Sequence, residues 1–513
     1  MKILLKNCII PNFDTKKFMK VNIIIDNDKI EEILNSGAEI ELSNFKNIVD
    51  CENFIVAPGF IDAHSHSELA AINKHTINPK FRQGITTEIV GNCGLSVAPV
   101  TTANRTDWSR LYQSIWGNEN VEWTWTDVNS YLQKINEFSW NKIETLIGYS
   151  TLRFYLTGLT ASAYDNELLK KMEALIEQEL DGGAIGVSIG IGYPPNLFAQ
   201  KKEYELIARI LKKKDKIFVA HLRDEGNFVL EAIDEFVGFA EKSKCKLHIS
   251  HLKAYGKNNW NKTETILKKI DNYNKYFDIT FDSYPYTAGS TTLTSLLPPE
   301  LLKQPKHELI SSLKSADTRN YIKNAIENGL DNWENYAKTV EFENIAPTGL
   351  QSPEYMLYEG KTLKQLSKHF NKHPVDILCD ILIAEKCNAS MIMYSMNEDN
   401  VISIFKHPKH LVGSDGLFSS KPHPRTFGAF PRVINRLCKE LKIMDLITAL
   451  YQMTKFPADR FNLKNIGDIK KNYYADIIIF DYEKIKDTAT YKNPMTYPEG
   501  IYYIILNGKI HKF

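Results

Sequence analysis

The sequence predicts an α/β protein: a (β/α)8 TIM-like barrel carrying a small β-sandwich domain built from both chain termini. Three observations lead there. Eight apolar, β-branched runs are interleaved with helix-like segments, the mark of a parallel sheet. Several of those runs end in a residue able to bind a metal, and a parallel barrel gathers its sites at that end of its strands. Both ends of the chain are strand-rich, and neither is large enough to bury a core alone.

In chain order, residues 1–54 hold KILLKNCIIP and VNIIIDNDKIEEIL, β-rich segments parted by a polar turn around Asp14 to Lys17. Residues 463–513 hold DIIIFDYEKI and GIYYIILNGKIHKF, so the two termini are expected to meet in one sandwich. Residues 55–462 form the expected barrel, with the runs FIDAHSH, TTEIVGN, IETLIGY, AIGVSIGI, KIFVAHL, KLHISHL, DITFDSYPY and HLVGSD as its strands. Between them, segments such as DNELLKKMEALIEQELDGG, YELIARILKKKD, FVLEAIDEFVGFAEKSK and ETILKKIDNYNKYF space apolar residues three and four apart, as helices do. Two connections are longer than a crossover needs. One, 101–140, carries Trp108, Trp116, Trp123, Trp125 and Trp140; the other is an insertion around 287–409, expected to hold extra structure over the site.

Composition excludes several classes. The 513 residues carry a formal net charge of +1, which gives no electrostatic reason to expect nucleic acid or an anionic membrane as partner. Seven cysteines, dispersed and without a CxxC pair, read as reduced thiols rather than a disulfide framework. No run of about 18 apolar residues exists, and the start MKILLKNCIIPNF is too short in apolar residues for a signal peptide, so a soluble, cytoplasmic protein is expected. The oligomeric state stays open, a monomer being one reading.

The chemistry centres on Ile55 to Glu68, IVAPGFIDAHSHSE. Residues i and i+2 of a strand share a side, so His64 and His66 project together. Taken alone, such a pair is as readily two inert, hydrogen-bonded histidines as half a metal site. Four further candidates close apolar runs and tip the balance: Cys93 in GNCG, His221 in VAHLRDEG, His251 in ISHLK and Asp415 in VGSDG. Cys93 read singly is a buried thiol, and Asp415 a turn residue before Gly416. A thiolate among imidazoles favours zinc. Strand parity places His248 on the face opposite His251, hence in packing.

Taken together, APGFIDAHSHSE, GNCG, HLRDEG, ISHLK, DSYPY, GSDG and HPRTFGAFPR, followed by MTKFPADRFNL, YYADIIIFD and ATYKNPMTYPEGIYYIILNGK, resemble the N-acyl-D-amino-acid deacylases (D-aminoacylases) of the amidohydrolase superfamily along nearly the whole chain. The resemblance implies zinc-dependent hydrolysis of a linear amide, yielding a carboxylate and a free D-amino acid. It implies one tight zinc on Cys93, His221 and His251, and a second, weaker position among His64, His66 and Asp415. Asp415 would carry the proton to the leaving amine. Lys253, Tyr284 and Arg425 would bind the substrate carboxylate, and Arg223 and Glu225 would orient His221. The fourth strand lacks the carboxylated lysine of many relatives, and has Ser188-Ile189-Gly190 where relatives tend to have Ser-Ser-Gly, which puts substrate contacts there in question. Two rivals are a cyclic amidase (hydantoinase-like or dihydroorotase-like), disfavoured by the missing lysine, and a non-catalytic barrel scaffold, disfavoured by the full set of ligand types.

Overall fold

The computed structural model describes residues 2–72, 78–117, 121–159, 163–418 and 420–513. Eight parallel strands form the centre: β1 (Phe60–Asp62), β2 (Ile85–Val90), β3 (Lys142–Thr145, continued past Leu146 by Ile147–Gly148), β4 (Gly186–Gly190), β5 (Ile217–His221), β6 (Lys246–Ile249), β7 (Ile279–Ser283) and β8 (His410–Val412). Each pairs in parallel with the next. The ring closes where the Ala63 N–H donates to the Val412 carbonyl at 3.2 Å and Ser65 bridges Gly416. The expected strand runs therefore all lie in one (β/α)8 barrel. Its helices follow the three-and-four apolar spacing: Asn166–Asp181, Lys201–Lys213, Val229–Phe239 and Thr263–Tyr273. Asp165 caps the first of these, accepting from the Leu168 N–H at 2.8 Å.

Alternation sorts the strand residues. Val187, Ile189, Phe218, Ala220, Leu247, Ile249 and Phe281 point outward into the helix layer. Ile89, Leu146, Val219 and Leu411 point inward, where they meet Ala63 and Phe461 in a separate cluster. Phe461 follows the short helix Lys455–Arg460, and its ring lies edge-on to His248, with centroids 5.5 Å apart. The barrel interior thus changes from apolar at this plug to polar at the strands' C-terminal ends.

The terminal strands build a small β domain. One eight-stranded sheet joins Lys2–Asn12, Lys17–Asp26, Lys29–Asn35, Asn47–Asp50 and Ile55–Pro58 to Ile477–Phe480, Ile501–Leu506 and Lys509–Lys512. It folds back on itself, because the Ile30 N–H donates to Tyr473 and the Ala475 N–H to Asp28. Ile3, Leu5, Ile23, Ile477 and Ile505 share its core.

Two excursions cover the barrel mouth. The segment after β2 is anchored by indoles: Trp108 and Trp125 donate to the Ser96 and Val97 carbonyls at 2.9 Å each. After β7, strands Gly289–Thr292, Ile345–Thr348 and Ser390–Met393 form an antiparallel sheet. Helices Ala316–Asn328, Leu363–Phe370 and Pro374–Ala384 bury Ile322, Leu366, Leu378 and Leu382 beside it. Among the described residues no helix is long and apolar enough to cross a membrane.

Truncating Phe461 to Ala removes the plug and the ring beneath His248. A loss of about 3–5 kcal/mol is expected, read as a lower thermal midpoint, and an unchanged midpoint would show that the barrel floor does not depend on this ring.

Candidate metal and substrate site

All six candidate ligands, buried, converge at the C-terminal mouth of the barrel. Cys93 Sγ stands 3.5 Å from His64 Nε2 and 3.4 Å from His251 Nε2. His64 Nε2 and His66 Nε2 lie 3.5 and 3.4 Å from Asp415 Oδ1. His221 Nδ1 lies 2.8 Å from His251 Nε2. The i, i+2 pair therefore does share one site.

Three of these residues hold left-handed backbone: Cys93 (φ 55°), His251 (φ 37°) and Asp415 (φ 49°). Such conformations cost energy in Cys and His and concentrate where a side chain must be re-aimed. The neighbours are built for it. Ser188 Oγ accepts from the Gly94 N–H at 3.0 Å and bonds the Gly91 carbonyl, pinning the turn that carries Cys93. A Cβ on Gly190 would stand 2.2 Å from the Cys93 carbonyl oxygen, so only glycine fits there. A Cβ on Gly413 would meet His64 Cβ at 2.6 Å and Asp282 Oδ1 at 2.7 Å. Ile189, where the chain departs from the expected Ser-Ser-Gly, packs outward against the helices, away from the mouth.

Asp282, at the end of β7, was not singled out from the sequence, and it organises the cluster. Its Oδ2 lies 2.9 Å from His248 Nε2 and 3.3 Å from His64 Nδ1, and its Oδ1 accepts the His251 backbone N–H at 3.0 Å. Burial pushes this carboxyl up, but His64 and His248 more than offset it and hold it well below the usual range. Its signal was position: DITFDS places an aspartate on the inward parity of a strand whose inner face meets a metal-ligand cluster.

His248 requires a correction. Parity assigned it away from the site, yet it points into the barrel, bonding Asp282 and Thr280 Oγ1. β6 ends at Ile249, and the left-handed turn at His251 breaks the alternation the parity argument assumed. Arg223 requires another: its guanidinium forks onto Glu235 at 2.8 and 2.7 Å, in a bidentate pair outside the cluster. Glu225 does act in the cluster, but on His251 Nδ1 at 2.8 Å rather than on a nitrogen of His221.

The donor set suits a zinc-like cation. Atoms about 2.0–2.3 Å from a tetrahedral zinc stand roughly 3.3–3.7 Å from one another. The Cys93–His64, Cys93–His251, His64–Asp415 and His66–Asp415 separations are 3.5, 3.4, 3.5 and 3.4 Å. Nδ1 of His64 and Nδ1 of His251 face Asp282 and Glu225, carboxylates able to accept an Nδ1–H, and Nε2 of both rings faces Cys93. His221 Nε2 and His66 Nδ1 are buried without a hydrogen-bond partner. Burial raises the Cys93 thiol, but His64 and His251 pull it well below its ordinary value, into the thiolate form that binds metal. Three overlapping ligand groups result: His64–Cys93–His251, His64–His66–Asp415 and His221–Glu225–His251.

Beside the ligands opens a cleft that His66, Cys93, His221, His251 and Asp415 line on one side. Lys253 and Tyr284 line it. Lys253 Nζ is 2.6 Å from Glu225 Oε2, completing a Lys253–Glu225–His251 chain. Arg425 is fully buried and is not part of the cleft wall. Its Nη2 lies 2.9 Å from Asp415 Oδ2 and 3.0 Å from the Ser290 carbonyl, its guanidinium lies over the Tyr284 ring at 4.5 Å, and its Nε and Nη1 have no hydrogen-bond partner. Burial raises the Asp415 carboxyl, yet Arg425 and His64, with His66, hold it well below the usual range.

A family model described as the amidohydrolase family matches residues 47–322. The chain belongs to that family. It is 29% identical over 462 residues to a D-aminoacylase of Alcaligenes xylosoxydans xylosoxydans, covering 90% of this chain and 84% of the relative. It is also 29% identical over 465 residues to an N-acyl-D-glutamate deacylase of the same organism, with 90% and 84% covered. The crystal structure of an N-acyl-D-glutamate deacylase from Bordetella bronchiseptica, complexed with zinc and a phosphonate mimic of the tetrahedral intermediate, superposes with a TM-score of 0.81 at 26% identity, covering 99% of this chain and 96% of that one.

Asp282→Asn keeps the shape but replaces an oxygen acceptor with an amide and removes the charge facing two imidazoles. Zinc affinity, measured by chelator competition, should fall about 10- to 100-fold; an affinity equal to wild type would refute the organising role.

Proposed function

We propose that this amidohydrolase cleaves the linear amide of N-acyl-D-amino acids, with zinc as cofactor, and that Cys93, His64, His66, His221, His251 and Asp415 supply the zinc ligands. The observation that carries the reading is the meeting, in one cleft, of a thiolate–imidazole–carboxylate donor set with the cationic Lys253 and the Tyr284 hydroxyl. Relatives matched across most of the chain include a D-aminoacylase and a D-glutamate deacylase. β4 carries Ser188 on its inward side and no lysine, which speaks against the carboxylated-lysine chemistry of cyclic amidases.

Zinc, when bound, supplies a Lewis acid that polarises the scissile carbonyl and lowers the pKa of water. The chain's own groups do the rest. Lys253 and Tyr284 receive the α-carboxylate by charge-assisted hydrogen bonds and fix the amide over the ligands. Arg425, behind Tyr284, adds positive potential at that end and holds Asp415 ionised. Asp415 Oδ1 faces both His64 and His66, so its carboxylate stands within reach of a water in the cleft and can accept that water's proton. The proton Asp415 has taken can then pass to the departing amine. An amine leaves poorly as an anion, so this delivery is required.

Two measurements check the reading. The zinc-loaded enzyme should hydrolyse N-acetyl-D-amino acids at least about a hundredfold faster than their L-enantiomers, and a preference for L-substrates or for hydantoins would overturn it. Asp415→Asn, folded and zinc-loaded, should lose about a hundred- to ten-thousandfold in kcat; activity within a few-fold of wild type would show that the proton takes another route.

A further inference from the structure

Resting on the deacylase reading, we infer that the cleft selects D-amino acids with uncharged, apolar side chains and discriminates against D-glutamate and D-aspartate. Overall likeness does not choose: a D-aminoacylase and a D-glutamate deacylase are equally identical to this chain. The cleft wall does choose.

A carboxylate side chain buried beside a first carboxylate needs a cation of its own, because an unpaired buried charge is costly. Among the described residues of the wall, Lys253 is the single lysine, and arginine is absent. Lys253 is already held by Glu225 at 2.6 Å and, on the deacylase reading, is used by the α-carboxylate. Arg425 lies off the wall with one edge taken by Asp415.

The remaining surface offers no substitute. Beyond the ligands and the carboxylate end, its aliphatic members are Leu95, Ile115, Met393 and Leu417, joined by the rings of Tyr112, Tyr193, Tyr255 and Tyr336. Two of the four tyrosine hydroxyls are engaged, Tyr112 donating to the Pro194 carbonyl at 3.0 Å and Tyr193 paired with Thr291 Oγ1 at 3.0 Å, and those of Tyr255 and Tyr336 are neutral and supply no countercharge. The hydroxyls of Ser290, Thr291, Thr292 and Ser395 are neutral. The anionic groups of the wall, Glu225 and Asp415, would oppose a second carboxylate. An acidic side chain would lose its hydration, meet no free cation and face carboxylates. An apolar one loses only contact with water.

Substrate specificity therefore comes from the two excursions over the barrel mouth, since Tyr112 and Ile115 belong to the tryptophan-anchored segment and Met393 to the inserted sheet. The test is a panel of kcat/KM values for the full-length, zinc-loaded enzyme on the N-acetyl derivatives of D-leucine, D-methionine, D-phenylalanine, D-glutamate and D-aspartate. The apolar substrates should exceed the acidic ones by at least about a hundredfold. D-glutamate or D-aspartate cleaved as fast as D-leucine would overturn the inference and leave the deacylase reading standing. Failure on all five would overturn that reading, and this inference with it. Ile115→Lys, which adds an ammonium to the apolar wall, should narrow the D-leucine to D-glutamate ratio by about tenfold or more; an unchanged ratio in the folded variant would show that the side chain does not bind against this wall. The wild-type panel decides the matter even if that variant does not fold.

Discussion

Both oxygens of one buried carboxylate, Asp282, are committed, and the mouth of the barrel is arranged around that fact. Oδ2 faces the imidazoles of His64 and His248, and Oδ1 takes the backbone N–H of His251, so strands β1, β6 and β7 are tied at one point. A carboxylate with no exposure is tolerable only when its lone pairs are filled. The same filling fixes the tautomer and aim of His64. Gly413 exists beside it because any side chain there would strike both His64 and Asp282. Packing on one side, through Phe461 against His248, and chemistry on the other are thereby coupled.

The second constraint is electrostatic balance in a region almost without water contact. Asp62 and Lys80 are both buried and lie 2.8 Å apart, and Ser414, next to Asp415, donates its N–H to Asp62 Oδ1 at 2.8 Å. Glu225 stands between Lys253 and His251, and Asp415 between Arg425 and the histidine pair. Each anion has a cation or an imidazole on at least one side. Removing a single partner would leave a buried charge uncompensated, which is far costlier than the pair is stabilising. Left-handed backbone at Cys93, His251 and Asp415 adds strain that this network must hold in place.

Much of this was legible in the sequence, for a physical reason. Strand parity and the rule that barrels gather function at strand ends both act locally, so HSH, GNCG, VAH, ISH and GSD could each be read in place. The terminal strands were legible because neither set buries a core alone. What escaped was non-local or broke the local rule. Arg223 sits two residues beyond His221, but its partner Glu235 is on the following helix, and the better geometry drew it away. His248 was placed on the wrong face because the left-handed turn at His251 ended the alternation that the parity argument assumed. Asp282 was passed over because its three partners come from distant segments. Arg425 was expected to bind the substrate carboxylate, but nothing local announced that Asp415 would hold it behind Tyr284.

At the centre of the account stands a zinc held by imidazoles and the Cys93 thiolate at the C-terminal mouth of the barrel. X-ray absorption at the zinc K-edge of the loaded, full-length enzyme measures this most directly, because sulfur is distinguished from nitrogen and oxygen by distance and scattering strength. The account predicts one zinc–sulfur path at about 2.3 Å together with shorter nitrogen or oxygen paths near 2.0–2.2 Å. The sulfur path should vanish in Cys93→Ala. A wild-type spectrum with nitrogen and oxygen scatterers only, or a sulfur path that survives in Cys93→Ala, would contradict it.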